Sequence, residues 1–308
     1  MKTAMTARRL PLRNKLESGL AIFRAHRSGE FSNAQGAVEY YREVRSYLER
    51  YTGLSADKAR VLDLGCGQTA TMSLLFRADG ANVTGIDIEV PTLRMGPGTF
   101  VKVLRRNGPE RALKSLARHV LFDGKYFRGL AEQFGKPVPI DGLDLRIMDA
   151  TRMDFEDSTF DFVHSMAVFE HIDDVPAAVK ELNRVLKPGG IAVITPHLFA
   201  SLSGGHNLEW IWPDKNAAEN VEPWDHLREN KHPANAYMNK LKLADYQSAF
   251  RSNMDVEKED LVVEGEPYLT PELEAMLSAR GYSREDLLTR TVTFFVRKRE
   301  PAAVAGSS

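Results

Sequence analysis

The chain has 308 residues, 43% of them hydrophobic, with 41 Lys and Arg against 42 Asp and Glu. That length carries one large domain with room for insertions, and the near-neutral charge argues against a whole-chain nucleic-acid binder, which needs a basic excess. The single cysteine, Cys66, excludes an internal disulfide and a cysteine metal cluster, and fits a reducing, cytoplasmic setting.

Met1 to Gly29 is rich in Lys and Arg but has no apolar stretch long enough for a signal peptide. No window anywhere approaches the roughly 18 apolar residues of an integral membrane segment. Val38, Tyr41, Val44, Tyr47 and Leu48 recur at three- and four-residue steps and predict a helix from about Gly36 to Tyr51, within an N-terminal helical segment 1–55. Arg60-Val-Leu-Asp-Leu64 is a short apolar run ending in glycines, which reads as a buried strand. A helix over Thr69 to Ala78 and a strand at Asn82-Val-Thr-Gly-Ile86 follow.

Further strands are expected at Leu143 to Met148, Phe160 to His164 and Ile191 to Thr195. Between the last two, Val179, Leu182 and Val185 share one face of a helix over Pro176 to Leu186, which stops at Lys187-Pro-Gly-Gly190 because proline cannot continue it. A helix near Pro271 to Arg280 and a strand at Thr291 to Val296 complete the order, before a disordered tail, 300–308. Alternating strands and helices predict an α/β fold: a doubly wound, mostly parallel sheet with its site along one edge.

Two stretches break the rhythm of this domain, 56–299. The segment 91–141 is an insertion after the second strand, with ten Lys and Arg against four Asp and Glu. It hints at an acidic or phosphorylated ligand, or is simply a solvated charged face. The segment 196–233 follows the fifth strand and reads as a lid, with Trp210, Trp212, Trp224, His206 and Asn207 either facing a ligand or packing the lid onto the core.

The central chemical signal is Asp63-Leu-Gly-Cys-Gly67 at the end of the first strand. Glycines there let the backbone turn sharply and approach a ligand, and the next helix offers its N-terminal amides. Asp87, at the tip of the second strand, suits the two hydroxyls of a ribose. Gly65-Cys-Gly-Gln-Thr-Ala70 also satisfies the Gly-x-Gly-x-x-Ala fingerprint of dinucleotide sites, so an NAD(P)-dependent oxidoreductase is the rival reading. Against it, Asp63 precedes the glycines, where it suits an ammonium group rather than a pyrophosphate, and no Tyr-x-x-x-Lys pair follows. A non-catalytic cofactor-binding scaffold is a third possibility.

From about Val61 to His197 the chain resembles the class I S-adenosylmethionine-dependent methyltransferases, the broad type that includes ubiquinone-biosynthesis methyltransferases. The residues that carry the resemblance are Val61-Leu-Asp-Leu-Gly-Cys-Gly67, Gly85-Ile-Asp87, Asp149-Ala150, Phe160-Asp-Phe-Val-His-Ser165, Glu170-His171 and Leu186-Lys-Pro-Gly-Gly190. The resemblance implies a seven-stranded Rossmann-like sheet whose last strand is antiparallel, and S-adenosyl-L-methionine as cofactor. It places the methionine end near Asp63, Gly65, Cys66 and Gly67, ribose on Asp87, adenine near Ile88, Asp149 and Ala150, and the reactive end near Ser165. Thr69 departs from the pattern, since many relatives carry a third glycine there. Cys66 itself reads as a small packing residue in the turn.

Methyl transfer to a hydroxyl is helped by a base, and the candidates are His171 and His206, with His197 behind them; His164 lies within a strand and reads as structural. Some relatives hold a divalent ion with a Glu-x-x-Glu-His run. This chain has Ala167-Val-Phe-Glu-His171, without the first carboxylate, so no metal ligand is assigned. The expected function is O-methylation of a small-molecule or glycan acceptor, with no nucleic-acid partner; the acceptor's identity and the oligomeric state are left open.

Overall fold

The computed structural model describes residues 33–211, 218–233 and 236–299. The basic start, Trp212 and the tail 300–308 therefore lie outside the described residues. Helix α1 (Ala34–Thr52) starts where the Asn33 side chain accepts from the Gly36 amide and ends at Gly53, which is left-handed at φ 70°. Then come strand β1 (Arg60–Leu64), helix α2 (Thr71–Ala78) and strand β2 (Asn82–Asp87).

The insertion after β2 is helical: α3 (Pro97–Asn107), α4 (Pro109–Arg118) and α5 (Gly124–Phe134), with a π-helical turn at His119–Asp123. Its charged surface hid this periodicity in the sequence. Next are β3 (Asp144–Ile147), β4 (Phe160–Met166), α6 (Val175–Val185) and β5 (Leu186–Thr195). Helix α6 ends before Lys187 to Gly190 as expected, and that segment forms a bulge inside β5, where pairing jumps from Phe160↔Leu186 to Phe162↔Ile191. The chain closes with α7 (Leu243–Asn253), β6 (Met254–Val263), α8 (Pro271–Ala279), α9 (Arg284–Leu288) and β7 (Thr289–Lys298).

The seven strands run in the order β3-β2-β1-β4-β5-β7-β6. The first five are mutually parallel, and β7 is antiparallel to both β5 and β6. Strand order reverses between β1 and β4, and the crevice at such a reversal is where ligands bind in open α/β sheets. Leu62, Phe160, Val179, Leu182, Phe250 and Phe294 build the core on one face; Val38, Tyr41, Leu48, Phe76, Phe162 and Phe295 build it on the other. A third cluster around Phe199, Leu202, Trp210, Trp224, Leu277 and Leu287 packs the segment after β5 against α8 and α9. Trp210 and Trp224 are thus packing residues, their indole nitrogens donating to the carbonyls of Val221 and Ala200. Among the described residues no helix is long and apolar enough to cross a membrane.

Candidate functional site

Three loops meet at the carboxyl edge of the sheet. The turn after β1 is clamped to the tip of β2: the amides of Gly65 and Cys66 donate to the Ile86 carbonyl at 2.8 and 3.0 Å, and Gly67 N donates to Asp87 Oδ2 at 2.9 Å. Gly65 adopts φ 80°, and a Cβ there would lie 2.2 Å from Val168 Cγ2, so glycine is demanded by conformation and space together. Beyond Gly67 there is open space.

Asp87 also accepts from Glu89 N at 2.8 Å, leaving each carboxylate oxygen a lone pair for a further donor. Burial raises its pKa above the ordinary aspartate value, partly offset by these two amides. Ile88 beside it is 60% exposed, an apolar surface at the mouth of the crevice. Asp149, exposed in the turn after β3, accepts from the Thr151 amide and hydroxyl, and Met148 N donates to the Asp87 carbonyl, so both acidic groups sit on one rim. Ala150 is buried next to it. These features fit an adenosine: a diol on Asp87, an apolar ring face on Ile88.

Asp63 is buried, one oxygen accepts from the Ser73 amide and hydroxyl at 3.0 and 2.6 Å, and the other lies 3.4 Å from His164 Nδ1. Through Ser73 the carboxylate braces the start of α2 from inside the protein. His164 is buried in turn and meets the Tyr40 hydroxyl of α1 at 2.9 Å. Cys66 packs within the turn, and burial pushes its thiol pKa up, away from any nucleophilic role. Ser165 is buried with an unpartnered hydroxyl, while its neighbour Met166, which sequence reasoning passed over, is 45% exposed at the tip of β4.

Gln68 was also missed. Its side-chain oxygen accepts from Ser115 Oγ at 3.1 Å and Arg118 Nη1 at 2.8 Å, and Arg118 goes on to Thr92 and Asp123. The turn and the insertion are therefore one hydrogen-bonded unit. Five of the insertion's ten positive residues, Arg94, Arg111, Lys114, Arg118 and Lys136, pair with carboxylates of the protein. Much of its basic character is thus internally compensated.

The two candidate bases meet. The 3-10 turn Phe169–His171 after β4 buries Glu170 and leaves His171 half-buried, and Asn239 holds that turn by donating to the carbonyls of Phe169 and Ile172. His171 Nδ1 lies 2.6 Å from the Tyr237 carbonyl, which only accepts, so Nδ1 carries a proton and Nε2 is the nitrogen outside that hydrogen bond. The His171 and His206 rings are 5.2 Å apart, and those of His197 and His206 5.0 Å. Burial lowers the pKa of His206 to about 4 and of His197 to about 3, so both are neutral at pH 7. Glu170 is 1% exposed, and burial raises its pKa to about 7, partly offset by the amides of Glu170 and His197. The partners missing from the Glu170-His171 pair in sequence arrive from the end of β5 and the loop after it: Glu170, His197 and His206 present possible ligand atoms within 4.8 Å of one another.

His226 makes one consequence measurable. It packs against Gly205, its Nε2 donates to the Phe199 carbonyl at 2.8 Å, and burial lowers its pKa to about 4. An unfolded histidine takes a proton near pH 6.5, whereas this one does so only near 4, so its stability contribution is complete above pH 6.5 and lost as pH falls towards 4. His226→Asn should flatten the acid limb of a urea-midpoint profile by roughly 2–3 kcal/mol over that window. Parallel wild-type and variant profiles would refute the assignment.

A family model described as a methyltransferase domain matches residues 37–247. The chain belongs to the methyltransferase-domain family. This decides between the two cofactors left open by the glycine fingerprint: S-adenosylmethionine, not a nicotinamide dinucleotide, is the cofactor of this methyltransferase domain. It is similar to the ubiquinone/menaquinone biosynthesis C-methyltransferase of Desulfotalea psychrophila, 30% identical over 105 residues, 34% of this chain and 39% of that one. It is also similar to the malonyl-[acyl-carrier protein] O-methyltransferase of Serratia marcescens, 27% identical over 68% of this chain and 67% of that one. The chain thus spans about two fifths of the first relative's length. Among solved structures, the PH0226 protein of Pyrococcus horikoshii aligns over 85% of this chain and 90% of its own, with 17% identity and a TM-score of 0.45.

Proposed function

We propose that the protein transfers the methyl group of S-adenosylmethionine to an oxygen of a small molecule, with His171 as general base. The observation that carries this is the place of His171: its amide donates to the Val168 carbonyl, and Val168 is the side chain that presses on Gly65 of the cofactor turn. An imidazole anchored through Nδ1 and offering Nε2 therefore stands one short turn from the cofactor loop. A base there is useful for a hydroxyl acceptor, whose proton must leave as the bond forms. The two relatives are named for carbon and for oxygen methylation, so the histidine is what favours oxygen.

When bound, S-adenosylmethionine supplies an activated methyl group. The chain's residues do the rest: Asp87 orients the ribose, Ile88 and the Asp149-Ala150 turn flank the adenine, and Gly65, Cys66 and Gly67 form the turn beside the methionine end. Asp63 holds that turn in shape through Ser73. Met166 and Ser165 lie at the β4 tip, on the acceptor side. His206 closes the far side of His171 and helps keep water out. A sugar acceptor is less favoured, because among the described residues both tryptophans, Trp210 and Trp224, are buried in packing.

The test is release of labelled methyl across a panel of phenols, hydroxyquinones, carboxylic acids and sugars. The expected result is turnover with at least one free hydroxyl or carboxyl acceptor and none with its methyl ether or ester. Turnover only on carbon or nitrogen acceptors would overturn the oxygen assignment.

A further inference from the structure

We propose that Glu170, His197 and His206 form a binding site for a divalent transition-metal ion. Both oxygens of Glu170 and Nε2 of His206 are buried with no side-chain hydrogen-bond partner, the Glu170 carboxylate having only the amides of Glu170 and His197 beside it, and Oε1 and Nε2 face each other at 4.0 Å. A carboxylate held this way is strongly unfavourable unless something positive completes it. Among the described residues no Lys or Arg pairs with Glu170, and Arg290, whose charge bears on His197, pairs with Glu264.

The third ligand is prepared by its own hydrogen bonds. Ser203 Oγ donates to Glu264 Oε1 at 2.6 Å, so its oxygen must accept from His197 Nε2, 2.8 Å away. That fixes the protonated nitrogen of His197 as Nε2 and leaves Nδ1 with a lone pair. A ligating histidine whose other nitrogen is anchored, here through Ser203 to a carboxylate, is the usual outer arrangement of a metal site. The three ligands come from three segments: the turn after β4, the end of β5 and the loop beyond it.

Two imidazoles and one carboxylate suit zinc, cobalt, manganese or ferrous iron, whereas calcium and magnesium prefer oxygen alone. Tetrahedral bonds of about 2.1 Å set ligand atoms about 3.4 Å apart. The present spacing, within 4.8 Å, closes to that by small side-chain rotations. Three protein ligands leave one coordination position for an exchangeable oxygen ligand. The proposal concerns metal binding alone and stands whichever atom accepts the methyl group.

Metal-stripped protein titrated with Co2+ gives the test, read by the visible ligand-field bands and by stoichiometry after dialysis. The expected result is one Co2+ per chain, displaced by Zn2+, with Glu170→Gln and His206→Asn each weakening binding at least 100-fold while keeping the wild-type circular dichroism. His206→Asn lies in a loop, so it remains informative if the buried substitution impairs folding. Wild-type protein that takes up no Co2+ at millimolar concentration would overturn the proposal. So would stoichiometric binding that survives in the folded variants.

Discussion

His171→Ala is expected to lower kcat by about 10²–10⁴-fold, the span a positioned general base contributes, while the affinity for S-adenosylhomocysteine stays within about twofold. The separation follows from geometry. The imidazole makes its fixed hydrogen bond to the Tyr237 carbonyl and presents Nε2 to the other side, and it touches neither Asp87 nor the glycine turn directly. A loss confined to kcat marks a group that acts in the transition state rather than in binding. His171→Gln sharpens the result, because an amide still donates to Tyr237 but is no base. Both variants should lose kcat to a similar degree, with the glutamine variant the more stable of the two. If both retain full turnover on a hydroxyl acceptor, the acceptor needs no histidine and His171 only packs the turn.

The second expectation concerns binding. Asp87→Ala should weaken S-adenosylhomocysteine by on the order of 100-fold, since two charge-assisted hydrogen bonds together contribute about 3 kcal/mol. The variant also removes the acceptor for Gly67 N and Glu89 N, which lowers stability by about 1–2 kcal/mol. Calorimetric titration well below the melting temperature separates the two effects. Because burial raises the Asp87 pKa, cofactor binding should weaken on acidification at a higher pH than an ordinary aspartate dictates. An Asp87→Ala variant that binds like wild type would remove the ribose from this carboxylate.

Much of the fold was legible because its central parallel strands, β1, β2, β4 and β5, are largely buried on both faces. Val61, Leu62, Phe162, Val163, Ala192 and Ile194 are all at or near zero exposure, so their runs stand out as apolar. Strand β6 did not, because Met-Asp-Val-Glu-Lys-Glu-Asp-Leu-Val-Val lies at the sheet edge and is mostly exposed. The place of Asp87 at the tip of β2, against the glycine turn, was legible from its spacing to that turn. The hydrogen bonds of Asp63 to Ser73 were not legible, since spacing does not say which face of a strand end a side chain leaves. The meeting of Glu170 with His197 and His206 was out of reach, because it depends on where β4 and β5 stop relative to each other and on how the loop after β5 folds back.

The buried chain from Tyr40 through His164 and Asp63 to Ser73 has a consequence for the energetics of turnover. These side chains brace the glycine turn from behind through hydrogen bonds within the protein. The conformational entropy of shaping that turn is surrendered once, when the protein folds, and not again in each cycle. A cofactor arriving there meets a preorganised receptor and spends little of its binding energy on ordering it. Exchange of spent for fresh cofactor can then proceed without remaking the loop that recognises both.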